Sequence, residues 1–538
     1  MKFRMKTLCL AVGAACGAAA AAPALALAPS AFNPATTAQV YISGSSAQSN
    51  GMIATMARLC VPGTMDRYVY GANHFAYFCT TNATLIPGLT KTQLIVYKSD
   101  EKGSGNGVLP LVGTGSALPF LNMATINSSG ACSTTAAVAS VTLSGDMLGV
   151  PSYVQRTCDT TVNLTTTSVR PDGGLSDVEP PFFTTKPIIG LTPTSANSVT
   201  FGFIVSKNLY RALQRAEGLD WSTTANDTTV DTTVTGAAVR VQDNEQNMPS
   251  LTRDTVASLF AGAYGTWDQL VAASGTSANA LTTFPGNDNA TDAAHPAPSD
   301  INVYIARRVP SSGTQKASEL FLFGGTGGGA DDGLGLGNGY PAFCNSNAVP
   351  MLQSNNHPNA DAESLCTTPG GQTVFEGSGT GNVRNCVANH YAGNRWAIGI
   401  ASTESGYAPG NNWRFIKLDG SSPSLLNVSK NNYKHWVSQS ANKPAYFSAL
   451  GADKTSTVNK VFSSLGSQGV IRAVNSTIAQ VWGGGSLFSL PENGGVPDAP
   501  PLSQAQIQLN PGLPLTRAPL GSTNNCQLPI YASPNQIN

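Results

Sequence analysis

Three short stretches, far apart in the chain, combine hydroxyl side chains with bare backbone. They are Ser43-Gly44-Ser45-Ser46, Gly103-Ser104-Gly105-Asn106-Gly107 and Arg307-Arg308-Val309-Pro310-Ser311-Ser312-Gly313-Thr314. Each follows a strand-like run and precedes helix-compatible sequence. The first turn of a helix leaves N–H groups unpaired and carries a partial positive charge, so it is a ready place for an anion. Three such stretches suggest one oxyanion held from several sides.

The elements that must position these residues are legible from periodicity. Val40-Tyr41-Ile42, Leu94-Ile95-Val96-Tyr97, Val199 to Val205 and Asn302 to Arg307 read as strands, and Met52 to Leu59 and Lys316 to Leu322 as helices. A strand, Gly/Ser turn, helix rhythm predicts α/β units with parallel strands. In open α/β sheets ligands collect at the carboxyl ends of strands, where all three stretches fall. Residues 112–170 are rich in Thr, Ser and Ala and read as an inserted, disulfide-tied loop or β-rich excursion. Residues 324–339 are a flexible loop by composition, and Pro491 to Pro519 reads as an extended, wrapping tail.

The 538-residue chain opens with Lys2, Arg4 and Lys6, an apolar run from Leu8, and small residues at Ala24-Leu25-Ala26, which together predict a cleaved export signal over residues 1–26. No later segment reads as a membrane span. Lys plus Arg equals Asp plus Glu at 30 each, so nothing in the charge balance favours nucleic acid or an anionic membrane. Cys60, Cys79, Cys132, Cys158, Cys344, Cys366, Cys386 and Cys526 remain after the signal, an even count that favours disulfides in an exported chain. Pairing by neighbours predicts Cys60–Cys79, Cys132–Cys158, Cys344–Cys366 and Cys386–Cys526. Zinc has little support, because no CxxC pair is present and Cys386 with His390 is an isolated match.

The chain resembles the phosphate-binding component of phosphate ABC transporters, in the type II periplasmic binding protein superfamily. The motifs that carry the likeness occur in the family's order. Val40 to Met52 resembles its opening strand, turn and helix, and Lys102 to Gly107 its second Gly-Ser loop. Gly174-Leu175-Ser176-Asp177 resembles its Gly-x-Ser-Asp motif. Leu259-Phe260-Ala261-Gly262 with Thr266-Trp267-Asp268 resembles its tryptophan signature. Arg308 to Thr314 resembles its Arg-x-x-x-Ser-Gly-Thr phosphate loop, and Trp396 to Ile400 its Ala-Ile-Gly strand. One departure stands out: the family often places an acidic residue between the arginine and Ser-Gly-Thr, and here that position is Pro310. The change leaves Arg307 as a second candidate for the arginine's role.

The resemblance implies a two-lobed α/β fold with disulfide-tied loop insertions. The expected division is lobe 1 over residues 36–185, lobe 2 over 190–432 with a Gly-rich insertion at about 324–395, and a return to lobe 1 with a Pro-rich tail over 433–538. It implies a ligand site of Ser45, Ser46, Ser104, Gly105, Asp177, Arg308, Ser312, Gly313 and Thr314. Asp177 would accept the proton that phosphate retains at neutral pH. The expected function is capture of an oxyanion, phosphate first, for an ABC permease, by a monomer in the periplasm or outside the cell. No cofactor, metal, nucleic acid or membrane insertion is expected. A secreted or surface protein using the same fold for interaction is the alternative. A hydrolase is disfavoured, since no Gly-x-Ser-x-Gly elbow or HExxH pair is present.

Overall fold

The first strand read from the sequence, β1 (Thr37–Gly44), buries Val40 and Ile42 completely and leads into helix α1 (Ser49–Leu59). The computed structural model describes residues 27–532, apart from 142–148, 184–189, 222–238, 324–365, 367–373, 496–502, 518–524 and a few shorter gaps. The expected signal 1–26, the glycine stretch 324–339 and Cys344 therefore lie outside the described residues.

Along the chain, β1 and α1 are followed by β2 (Asp66–Tyr70), β3 (His74–Thr80), β4 (Gln93–Ser99), β5 (Cys132–Val138), β6 (Tyr153–Cys158), β7 (Gly173–Ser176) and the long β8 (Thr192–Ser206). Then come α2 (Lys207–Glu217), α3 (Arg253–Phe260), β9 (Tyr304–Arg308), α4 (Gly313–Phe323), β10 (Val374–Gly377), α5 (Thr380–Ala392), β11 (Ala397–Ser402) and β12 (Trp413–Phe415). The last are β13 (Trp436–Lys443), α6 (Ala452–Leu465), α7 (Gln468–Asn475) and β14 (Leu487–Phe488).

Among the described residues, fourteen strands form one sheet, in the order β10-β9-β11-β8-β13-β7-β1-β4-β3-β2-β6-β5, with β12 and β14 also paired to β8. The two halves of its centre repeat one pattern. In one, the parallel strands lie second, first, third in chain order (β4-β1-β7), and antiparallel β13 closes the row. In the other, β10-β9-β11 lie second, first, third, and antiparallel β8 closes the row. β8 and β13 pair with each other and join the halves.

Each half has its own core. Val40, Met52, Leu94, Val461 and Ile471 pack in lobe 1, and Leu209, Val256, Ile305, Val383 and Ile398 in lobe 2. β8 passes between them, burying Val199 and Phe201 in the first core and Phe203, Ile204 and Val205 in the second. β13 does the same with Val437 and Trp436. The α/β, two-lobed architecture with disulfides expected from the sequence is the one observed.

Several details differ from the sequence reading, and others agree with it. The Gly103–Gly107 loop leads into short 3-10 turns rather than an α-helix. Within residues 324–395, read as an insertion, β10 and α5 build the sheet and core of lobe 2. The Pro-rich tail is not simply extended. It holds a helix at Gln504–Leu509 and sends Ile507, Leu513 and Leu515 into the second core. In the stretch 112–170, β5 and β6 pair as a hairpin tied by Cys132–Cys158, extending the sheet at its edge. Cys60–Cys79 also forms. Cys366 bonds Cys386, replacing the expected Cys344–Cys366 and Cys386–Cys526 pairs. The physical reason is location: Cys366 and Cys386 share the second core, whereas Cys526 packs in the first. Trp267 is a core residue whose indole N–H donates to the Trp396 carbonyl at 3.1 Å. No helix among the described residues is long and apolar enough to cross a membrane.

Candidate functional site

The carboxyl ends of the six central parallel strands face one another across the join between the lobes. At the end of β1, Gly44 has φ +100°, and a Cβ there would come within 2.1 Å of the Leu175 carbonyl. Only glycine allows this approach. The turn lets the Ser45 N–H donate to Leu175 O at 2.9 Å and buries the Ser45 side chain completely. Ser46 opens the short 3-10 turn that precedes α1. Beneath the turn, Lys98 from β4 donates to the Gly44 and Ser45 carbonyls and pairs with Asp100. Asp100 in turn accepts from Ser49 Oγ at 2.7 Å.

Asp177, one residue past β7, is the hub. One carboxylate oxygen accepts from the Ser45 hydroxyl and from Gln439 Nε2, the latter at 2.8 Å. The other accepts from Thr314 Oγ1 of lobe 2 at 3.4 Å. The Asp177 N–H donates to Ser104 Oγ at 2.9 Å. Gly313, first residue of α4, lies directly on this cluster: an added Cβ would sit 2.4 Å from Ser104 Oγ and 2.5 Å from Asp177 Cβ. Ser312 is 1% exposed, and its hydroxyl has no hydrogen-bond partner among the described residues. Gly105 differs in that its N–H is already engaged across the lobes, donating to Ser311 O at 2.8 Å. Ser45, Ser104, Asp177, Gly313 and Thr314 therefore meet at one place.

Arg308 ends β9, fully buried. Its Nε donates to Gly377 O at 3.2 Å, one terminal nitrogen to Thr380 Oγ1 at 3.2 Å, and the other to Ser378 O. The turn between β10 and α5 thus holds the guanidinium where an acidic residue at the Pro310 position would have been expected. Gly103 of lobe 1 faces it, with a would-be Cβ 3.5 Å from an Arg308 terminal nitrogen. Arg307, the second candidate, is paired instead with Glu376 at 2.5 Å. Alternation along the strand sends the two arginines to opposite faces.

Burial pushes the Asp177 carboxyl above its usual range, while hydrogen bonds from Ser45 and Gln439, the charge of Arg308 and the Ser104 hydroxyl pull it back. Glu404, two residues past β11, is pushed well above the ordinary carboxylate range by burial and then by Asp177 and Asp100, with Asn50 opposing. Sequence reading missed Glu404, Thr380 and Gln439. Gln439 sits at a register shift between Ser438 and Ser440, a bulge that re-aims a side chain. Gln48 donates to Gln439 Oε1 at 2.5 Å and to Asn197 Oδ1 at 3.1 Å, extending the polar chain behind Asp177.

Ligand atoms of Cys366, Cys386 and His390 lie within 4.8 Å of one another. The two sulfurs are bonded together, so this cluster offers no thiolate to a metal.

No protein-family model matches the chain, and no curated protein matches its sequence. Among solved structures it is similar to a protein from Clostridium perfringens described as a phosphate ABC transporter substrate-binding protein, with bound phosphate. That likeness has 12% identity and a TM-score of 0.36, and covers 81% of this chain and 98% of the other. It is also similar to an ABC-type phosphate transport receptor from Vibrio cholerae, at 11% identity and a TM-score of 0.33, covering 82% and 99%. A third is PstS from Borrelia burgdorferi, at 12% identity and a TM-score of 0.29, covering 82% and 98%. The two-lobed architecture itself stands on the repeated strand order and the two cores.

Proposed function

We propose that the chain is an exported, non-catalytic receptor that captures an oxyanion, phosphate first, between its lobes and delivers it to an ABC importer. The observation that carries the reading is Asp177, a buried carboxylate of lobe 1 that accepts hydrogen bonds from Ser45 and Gln439 and from Thr314 of lobe 2. In the bound state, the hydroxyls of Ser45, Ser104, Ser312 and Thr314 and the N–H groups opening α4 turn to the anion. Ser46 and Gly105 shape the turns that present them, and Arg308 supplies the positive charge.

The energetics suit this task. A dehydrated anion must regain the hydrogen bonds it had in water. Each bond to a charged group contributes roughly 1.5–3 kcal/mol, and micromolar binding requires about −8 kcal/mol. Four or five donors therefore suffice after closure costs. Asp177 supplies selectivity. Hydrogen phosphate can donate its proton to the carboxylate, whereas sulfate leaves an unpaired buried acceptor, which costs about 1–3 kcal/mol or more.

Equilibrium dialysis of the mature chain with labelled phosphate tests the reading. Binding at micromolar concentration or below is expected, and Arg308→Ala should weaken it at least a hundredfold. Failure to bind phosphate, arsenate, sulfate or molybdate at millimolar concentration would remove it.

A further inference from the structure

The two halves of the sheet repeat second-first-third strand order, so the ends of their third strands are equivalent positions. Asp177 follows the third strand of lobe 1, and Glu404 follows the third strand of lobe 2. We propose that Glu404 is a second, specificity-determining carboxyl of the oxyanion site, facing the guest from the lobe opposite Asp177 and donating a hydrogen bond to it. The inference rests on the receptor reading above.

Three observations carry it. Glu404 lies across the join from its own lobe, beside Asn50 in the first turn of α1. Its Oε1 is buried without a hydrogen-bond partner among the described residues. The Ser312 hydroxyl, on the strand-to-helix turn of the same lobe, is likewise buried and unpartnered. The great majority of buried polar atoms in folded proteins have a hydrogen-bond partner, so each of these two has room for one that a guest could supply.

The charged groups around this point divide one proton unequally. Asp177 has hydrogen bonds from Ser45 and Gln439 and the charge of Arg308 to support ionisation. Glu404 faces the like charges of Asp177 and Asp100, with only Asn50 to help, and Lys98 is committed to Asp100. Burial raises both carboxyls, Glu404 well above its ordinary range and Asp177 with more opposing it, and such a pair divides into one acceptor and one donor. Asp177 then receives the proton of hydrogen phosphate, and the protonated Glu404 gives a hydrogen bond to another of its oxygens. Ionising Glu404 at higher pH turns that donor into a repelling charge.

The test is phosphate affinity of the mature chain, Glu404→Gln and Glu404→Ala between pH 5.5 and 9, by isothermal titration, with melting curves to confirm folding. Comparing each variant with the parent at the same pH cancels the ligand's own titration. Glutamine keeps a donor and cannot ionise. It should match the parent within threefold at pH 5.5 and bind at least tenfold more tightly than it at pH 9. Alanine should bind at least tenfold more weakly than the parent at pH 5.5. A parent that binds phosphate while both variants track it within twofold at every pH overturns the role of Glu404 alone. A parent that binds no phosphate overturns the receptor reading, and this inference with it.

Discussion

At the scale of single residues, Gly313 and Asp177 bring the two lobes into contact. The absent side chain at Gly313 lets a lobe-2 helix start rest on Asp177 and Ser104, and a methyl group there would lie inside contact distance of both. Gly313→Ala should weaken phosphate binding at least tenfold; titration calorimetry would show it, and unchanged affinity would mean that the lobes do not close here. Asp177→Asn replaces an acceptor with a group that both donates and accepts. It should lower the preference for phosphate over sulfate to within threefold, as measured by competition dialysis. Ser45 and the Ser312 to Thr314 turn were legible in the sequence, because glycine and serine after an apolar strand leave a pattern, and Asp177 was legible through the family motif it resembles. Gln439 and Glu404 were not. An amide at a β-bulge and a carboxyl beyond a strand carry no local signature.

At the scale of elements, the strand ends are locked by glycine contacts and buried charge. Gly107 lies so close to β7 that a Cβ would approach Leu175 O to 1.9 Å. Gly107→Ala should therefore destabilise lobe 1 by about 3 kcal/mol or more, at the upper end of overpacking costs, as read by denaturant unfolding. In lobe 2, Asp243 is paired with Arg211 of α2 at 2.7 Å and with Arg414 of β12 at 3.0 Å. Burial pushes its carboxyl up, but the two arginines outweigh burial and hold it well below the usual range. A depressed carboxyl stabilises the fold above its unfolded value near 4, and that contribution is lost as pH falls. Asp243→Asn should cost about 3 kcal/mol at pH 7 by leaving the buried Arg414 without a carboxylate partner, while Arg211 keeps Asp288 at 2.8 Å, and the gap to the parent should narrow below about pH 4. Unfolding curves at pH 7 and pH 3 check the sign. The strands and helices themselves were readable because apolar alternation and spacing survive in β1, β4, β8, β9, α1 and α4. The tail helix and the Cys366–Cys386 bond were hidden, since both depend on which core a distant segment joins.

For the whole molecule, β8 and β13 each place residues in both cores, as does the short β14 beside β8, so a movement of one lobe against the other would bend them. The proposed receptor would close around its ligand by such a hinge. The β5–β6 hairpin lies at the far edge of the sheet from lobe 2, outside this motion. Replacing Cys132 and Cys158 with serine should cost about 2–4 kcal/mol of stability while leaving phosphate affinity within twofold.

The most direct measurement is calorimetric titration of the mature chain with phosphate and, separately, with sulfate at neutral pH. Phosphate should bind one-to-one at micromolar concentration or tighter, and sulfate at least tenfold more weakly. Equal affinity for both anions, or no heat from either up to millimolar concentration, would contradict a site in which Asp177 reads the proton on a tetrahedral guest.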